Sequence, residues 1–108
     1  MPNSVTKIDD SAFEDCSSLT SIIIPENVTE IGEKAFKGCE SLTDLIIPDS
    51  VTEIGKSAFK ECFSLTNLII PDSVMKIGDN AFADIDKVYY NGKAKGSPWG
   101  AKNLLKKK

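Results

Sequence analysis

Residues 48–70 read PDSVTEIGKSAFKECFSLTNLII, and the preceding residues 25–47 read PENVTEIGEKAFKGCESLTDLII. The two stretches align without a gap, and the same pattern starts again at Pro2 and at Pro71. Most of this 108-residue chain is therefore one unit of 23 residues, repeated four times. A unit this short cannot bury a core alone, whereas stacked copies bury a continuous one. The repeat predicts a solenoid.

Apolar residues recur at eight matched positions of the unit. The eight columns begin at Val5, Ile8, Ala12, Phe13, Cys16, Leu19, Ile22 and Ile24. At 23-residue spacing the first four recur in all four units, and the last four recur in the first three units. In a stack of coils each column becomes a ladder of side chains inside the core. The core is therefore expected to be a stack of layers.

Each unit is expected to contain two extended segments and a helical turn. Its last residues alternate between inward and outward positions, which is typical of a short strand, and strands one coil apart form a parallel sheet. The Val-Thr-x-Ile stretch predicts a second extended segment on the opposite wall. Gly32, Gly55 and Gly78 then offer positions that tolerate positive φ, and Ala-Phe-x-x-Cys fits one helical turn. The predicted class is an α/β solenoid.

The fourth unit is shorter than the others. Aligning Ile85-x-x-Val88-x-Tyr90 with Leu65-x-x-Leu68-x-Ile70 reduces the interval between strands from 23 to 20 residues. We expect the solenoid to cover residues 1–91, with units starting at residues 2, 25, 48 and 71, and a closing segment with a lysine-rich tail to cover residues 92–108. Trp99 is expected to fold back on the last coil.

Charge is divided unequally along the chain. Residues 1–91 hold seven lysines and 16 acidic residues, whereas residues 92–108 hold six lysines and no acidic residue. The net charge of -3 argues against nucleic acid as a partner, because phosphate binding needs a cationic surface. The lysine tail is expected to be a disordered solubilising end, with steering toward an acidic surface or a lipid as the alternative.

The composition disfavours catalysis. The chain has no histidine, which removes imidazole bases, Ser-His-Asp triads and histidine-containing zinc sites. Three cysteines at 23-residue spacing, Cys16, Cys39 and Cys62, predict a structural ladder, although a Cys39–Cys62 disulfide remains possible. The repeated carboxylates are interpreted as a solvated edge. We expect no enzyme activity, no cofactor, no metal, no signal peptide in this chain and no membrane-spanning helix.

The outward side chains of the predicted strands are the candidate binding surface. The central outward positions hold Ile23, Ile46, Ile69 and Tyr89, flanked by Thr20, Thr43, Thr66, Asp44 and Asn67. An apolar stripe with a polar rim is typical of an interaction surface. Isoleucine also has high β propensity, which explains the same residues without a partner. The sequence leaves both interpretations open.

The first unit exposes a face that the later units bury. With no strand before it, Val5, Ile8, Phe13 and Cys16 are expected to lie at an open edge. Either an N-terminal cap is missing there or another chain covers the edge. Val5, Ile8 and Phe13 are therefore candidates for self-association into a homodimer.

The repeat resembles a known family. Leu42-x-x-Leu45-x-Ile47 is similar to the leucine-rich repeat, and the Pro-x-x-Val-Thr-x-Ile-Gly-x-x-Ala-Phe-x-x-Cys-x-Ser-Leu pattern resembles its BspA-like (Treponema pallidum-type) subclass over roughly residues 2–92. The resemblance implies a right-handed coil in a cell-surface or secreted protein that mediates protein, matrix or cell adhesion, with a glycan as a possible ligand. The alternative is a structural scaffold, natural or engineered, that self-associates and has no ligand of its own.

Overall fold

The computed structural model describes residues 4–95 and 99–106, and these wind into stacked coils built from short parallel strands. The described strands are β1 Lys7–Ile8, β2 Ser21–Ile23, β3 Glu30–Ile31, β4 Asp44–Ile46, β5 Glu53–Ile54, β6 Asn67–Ile69, β7 Lys76–Ile77, β8 Lys87–Tyr89 and β9 Asn103–Leu105. The predicted solenoid of about four turns is confirmed. Pro2, where the first unit begins, lies outside the described residues.

One wall is a continuous four-stranded sheet in the order β1-β3-β5-β7. Its register shifts by one repeat at each step, so that Ile8 pairs with Ile31, and Ile31 with Ile54. Threonine strengthens the same ladder, because the Thr52 amide and hydroxyl both donate to the Thr29 carbonyl oxygen, at 2.8 and 3.2 Å. The second extended segment of each unit is present as the sequence predicts.

The opposite wall, called the strand face below, carries the longer strands. β2 pairs with β4, and β6, β8 and β9 form a second group in that order. Leu68 pairs with Val88, which confirms the 20-residue interval of the shortened unit. Among the described strands, none of the pairings joins β4 to β6, so the strand face is divided between the second and third coils.

The helical turn expected in each unit is not formed in the described residues. Two residues per coil take positive φ instead: Ser11 and Asp15, Lys34 and Gly38, Ser57 and Glu61, Asn80 and Asp84. Alternate amides of this segment donate to the next coil, as in Phe13 N to Ala35 O and Phe36 N to Ala58 O, both 2.8 Å. These N–H groups are consequently not available for a helix, and the segment forms a third hydrogen-bonded wall of linked turns.

The repeated glycines are required for close packing of the coils and not for positive φ, which was the expectation. Gly32, Gly55 and Gly78 do not take positive φ. A Cβ at Gly55 would lie 2.6 Å from the backbone nitrogen of Glu33 and from the carbonyl carbon of Gly32. The glycine column therefore allows close approach of neighbouring coils. Among the described glycines, positive φ is taken by Gly38, at 77°, and by Gly100, at 84°.

Aromatic rings form the central layer of the core. Phe13, Phe36, Phe59 and Phe82 stack with ring centroids 5.3, 5.4 and 6.3 Å apart. Trp99 closes the stack edge-on against Phe82, with centroids 6.0 Å apart, which confirms that it folds back on the last coil.

The closing segment extends the solenoid by part of a coil. Phe82 N donates to Trp99 O at 2.9 Å, and β9 pairs with β8 through Val88 and Leu104. The expectation of a disordered end is therefore wrong for residues 103–105, because the Asn-Leu-Leu stretch adds a strand to the free edge of β8. Lys107 and Lys108 lie outside the described residues.

The open end of the first coil is less exposed than expected. Ile8 has only 3% of its surface exposed, because β1 packs beside β3 and turns Ile8 into the core. The expected exposure of Ile8 is therefore wrong. Val5 and Phe13 are partly buried, and Cys16 is exposed.

Candidate recognition surface

The outward side chains of the strand face form an aligned apolar row. Parallel register places Ile23 beside Ile46 and Ile69 beside Tyr89. The exposed fraction is 86% for Ile23, 83% for Ile46 and 61% for Ile69, while Tyr89 is half-buried. The structure brings the predicted row together in two parts, one on each side of the division between β4 and β6.

A fifth member of the row lies in the closing segment. The register places Leu105 beside Tyr89, and Leu105 is half-buried. The likeness of Asn103-Leu104-Leu105 to Asn67-Leu68-Ile69 is a signal that could have identified this strand in the sequence. The apolar row comprises Ile23, Ile46, Ile69, Tyr89 and Leu105.

Two open grooves accompany the first half of the apolar row. The larger has a volume of about 1010 Å³ and is lined by residues 21–27 and 44–50. The smaller, about 370 Å³, lies between β4 and β6 and is lined by Leu45, Ile46, Ile47, Asp49, Asn67, Ile69 and Pro71. The strand face of the first three coils is therefore grooved and not flat.

The inward side chains beneath these grooves are less buried than elsewhere on the wall. Ile22 and Leu45 are half-buried, whereas Leu68 and Val88, at the same position of later coils, are fully buried. The first two coils therefore offer partly accessible apolar side chains in addition to the exposed isoleucines.

Polar residues border the apolar row. Thr20, Thr43 and Thr66 are exposed at the start of the strands, and Thr43 donates to the Thr20 carbonyl oxygen through both its amide, at 3.0 Å, and its hydroxyl, at 3.3 Å. Asp44 and Asn67 are exposed in the next row. Thr43 thus takes part in coil stacking, while Asp44 and Asn67 face solvent beside the isoleucines.

The residues predicted for self-association lie away from this surface, at the start of the solenoid. Val5 precedes β1, and Phe13 stacks on Phe36 through a ring contact. The strand face and this open end are therefore separate surfaces that can be altered independently.

The cysteine column has a structural environment. The Cys39 and Cys62 thiols are free and buried, and they donate to the carbonyl oxygens of Phe13 and Phe36 at 3.1 and 3.0 Å. Burial raises the pKa of the Cys39 thiol to about 11 and that of the Cys62 thiol to about 12. A thiol with a raised pKa is a poor nucleophile and a poor metal ligand at neutral pH. Within the described residues, no group of three or more Cys, Asp or Glu is arranged to hold a metal ion.

Membrane insertion has no support from helices. In the part of the chain that the structure describes, none of the segments forms a helix with the length and apolar character needed to cross a bilayer.

These features define a parallel-strand repeat protein with an exposed apolar surface, and the repeat has a matching family. The family described as the BspA type leucine-rich repeat region, in six copies, matches residues 1–92. The chain belongs to this family. It is a family of protein-interaction repeats, and none of the matches indicates a catalytic family.

Solved structures share the fold. A T. pallidum leucine-rich repeat protein is 31% identical with a TM-score of 0.75, and the match covers 93% of this chain and 45% of that one. A leucine-rich cell surface protein from Faecalibacterium prausnitzii A2-165 is 28% identical with a TM-score of 0.85, covering 100% of this chain and 31% of that one. A leucine-rich repeat protein from Bacteroides ovatus ATCC 8483 is 35% identical with a TM-score of 0.77, covering 96% and 30%.

This chain spans less than half the length of each of these structural relatives. No curated protein sequence matches it.

Proposed function

We propose that the chain is a non-catalytic recognition module that binds a protein or matrix partner through the apolar row of its strand face. The observation that supports this most directly is the exposure of Ile23 and Ile46, at 86% and 83%, on neighbouring paired strands. Burying an exposed isoleucine against a partner contributes roughly 1.5–3 kcal/mol. Two such residues side by side give the contact an apolar anchor.

Strand propensity alone is a weaker explanation of this surface. It accounts for isoleucine at the outward positions, but not for the groove of about 1010 Å³ or for half-buried Ile22 and Leu45 beneath it. An exposed apolar patch next to a groove is typical of an interaction site. The grooves therefore favour a partner over a neutral surface.

We base the proposed cellular setting on a structural relative. The relative from F. prausnitzii is described as a cell surface protein. We place this chain in the same setting, in a surface-displayed or secreted protein that mediates adhesion.

The test is substitution of one member of the apolar row. Ile46→Lys is expected to weaken binding to a panel of immobilised matrix proteins at least tenfold, because a charge replaces an apolar anchor. The circular dichroism spectrum should be unchanged, because the Ile46 side chain is 83% exposed and lies outside the core.

The matched control is Met75→Lys, which replaces another exposed apolar side chain, 58% exposed, in the stretch before β7 on the opposite wall. Met75→Lys should bind like the parent chain. Unchanged binding by Ile46→Lys, or equal losses in both variants, would contradict the proposal.

A second candidate function is a structural scaffold that self-associates through the open end of the first coil. It is supported by the partial exposure of the apolar side chains of Val5 and Phe13 at that end and by the position of β1 at the edge of its sheet. Unpaired strand edges are sites of association between chains.

A further inference from the structure

Charges on the strand face of the first three coils have one sign. The stretches that form this wall, residues 20–27, 43–50 and 66–73, contain Glu26, Asp44, Asp49 and Asp72 but no lysine. All four carboxylates are on exposed residues.

The other walls of the same coils have mixed charge. The lysines among residues 4–70 lie in β1 or in the linked turns: Lys7, Lys34, Lys37, Lys56 and Lys60. There they are interspersed with acidic residues, and Lys7 forms an ion pair with Glu30 at 3.3 Å. In these three coils, a wall whose charged residues are all acidic is therefore found only at the strand face.

The carboxylates of the strand face border its grooves. Glu26, Asp44 and Asp49 line the larger groove together with Ile23 and Ile46. Asp49 also lines the smaller groove, beside Ile46 and Ile69. Acidic and apolar groups therefore line both grooves, which share Ile46 and Asp49. The first lysine on this wall is Lys87, in β8.

We infer that the partner presents a cationic amphipathic peptide segment, in which lysine or arginine side chains alternate with apolar ones. The inference rests on the proposed function and names the chemistry of its ligand. Apolar side chains of the segment fill the grooves beside Ile23 and Ile46, while its cationic groups lie near Asp44 and Asp49.

The carboxylates and the apolar residues of the strand face contribute differently to binding. Exposed ion pairs contribute little affinity individually, and salt screens them. Complementary charge increases the association rate and disfavours partners of the wrong sign. Apolar burial therefore supplies most of the affinity, and the carboxylates select a cationic partner over an anionic one such as an acidic glycan.

The experiment uses three peptide probes on the full chain. One probe alternates lysine with valine, the second alternates glutamate with valine, and the third alternates lysine with serine. The lysine–valine peptide is expected to bind at least tenfold more tightly than either of the others, with affinity that falls as salt rises. The double substitution Asp44→Lys and Asp49→Lys should weaken its binding at least tenfold and should improve binding of the glutamate–valine peptide.

The control for charge is Asp79→Lys, which reverses an exposed carboxylate in the turns that follow β7 and should leave all three affinities unchanged. Absence of binding by the lysine–valine peptide, or equal binding of the lysine–valine and glutamate–valine peptides, would overturn the inference.

A neutral substitution separates this inference from the proposed function. Ile46→Ser removes the apolar anchor without adding charge. If Ile46→Ser abolishes binding while the double aspartate substitution has no effect, the apolar recognition surface stands and the inference of a cationic partner fails. If neither change affects binding, both fail.

Discussion

At the scale of single residues, the cysteine column shows how a repeat distributes its polar atoms. Each buried thiol donates to the carbonyl oxygen of the phenylalanine one coil earlier, 26 residues before it. The Phe13 carbonyl oxygen already accepts the Cys16 amide at 3.1 Å, so the thiol adds a second bond to a satisfied group. The thiols therefore contribute mainly as small apolar side chains.

The buried thiols make the folded state less stable as the pH becomes alkaline. The folded-state pKa values of Cys39 and Cys62 are raised to about 11 and 12, so between an unfolded pKa of about 8.5 and these values the folded state binds more protons than the unfolded one. Stability is thus fully present below about pH 8.5 and falls as pH rises above it. From pH 7 to about pH 10, we expect a loss of about 1–2 kcal/mol for each thiol.

The measurement is the urea unfolding free energy at both pH values. The lysines also begin to titrate in this range, so the control is the double variant Cys39→Ala and Cys62→Ala, which keeps every lysine. Its loss of stability between the two pH values should be smaller than that of the parent by roughly the contribution of the two thiols. Equal pH dependence in both chains would show that the thiols do not control it.

At the scale of elements, the closing segment depends on Trp99. The indole is 3% exposed, contacts Phe82 and Tyr90 edge-on, and donates from Nε1 to the Lys95 carbonyl oxygen at 2.9 Å. Without it, the segment that carries β9 would lose its largest buried side chain. We expect Trp99→Ala to lower the free energy of unfolding by about 3–5 kcal/mol.

The control for this prediction is Phe63→Ala, which removes an aromatic side chain that is 54% exposed. It should cost well under half as much in the same urea titration. Hydrogen exchange at the amides of β9 should accelerate in Trp99→Ala, and unchanged exchange there would argue that the strand is held by pairing with β8 alone.

The elements also show what the sequence could predict. Matched apolar columns require stacking, and proline closes the strand-face segment of the first three units. Both walls therefore followed from the pattern, and realignment of the fourth unit gave the 20-residue interval. The turn segment did not, because Ala-Phe-x-x-Cys places the same side chains inward in a helical turn and in linked turns. The linked turns form because the Phe13 and Phe36 amides donate hydrogen bonds to carbonyl oxygens of the next coil. These hydrogen bonds exist only once the coils are stacked.

The candidate site was predictable in composition but not in shape. Alternation within the strands identified Ile23, Ile46, Ile69 and Tyr89 as outward residues. The division between β4 and β6 and the grooves around it arise from the separation of backbones, for which the near-identical repeats carry no signal. Leu105 was missed because lysines surround it and a lysine-rich end suggested disorder.

At the scale of the whole molecule, the two ends differ. Trp99 covers the last phenylalanine of the ring stack, whereas Phe13 at the other end contacts Phe36 and remains partly exposed. If the open end pairs with a second copy, sedimentation velocity should show a dimer whose fraction rises with concentration. Phe13→Lys or Val5→Lys should then give a monomer, because the lysine would be buried without a partner.

Phe63→Lys is the matched control, since it places a lysine on an exposed aromatic position away from that end. It should leave the dimer intact. A chain that is monomeric at every concentration would reject self-association through the open end.

The hydrogen bonds that stack the coils run between backbone atoms and a few inward or short polar side chains, so Ile23, Ile46 and Ile69 are not needed for the frame. Natural selection can therefore replace these side chains one coil at a time while the stacking of the coils is kept. A lineage can retarget such a surface by duplicating a coil or by substituting single codons. Variation among related genes should then concentrate at the outward strand positions, while the phenylalanine and glycine columns stay invariant.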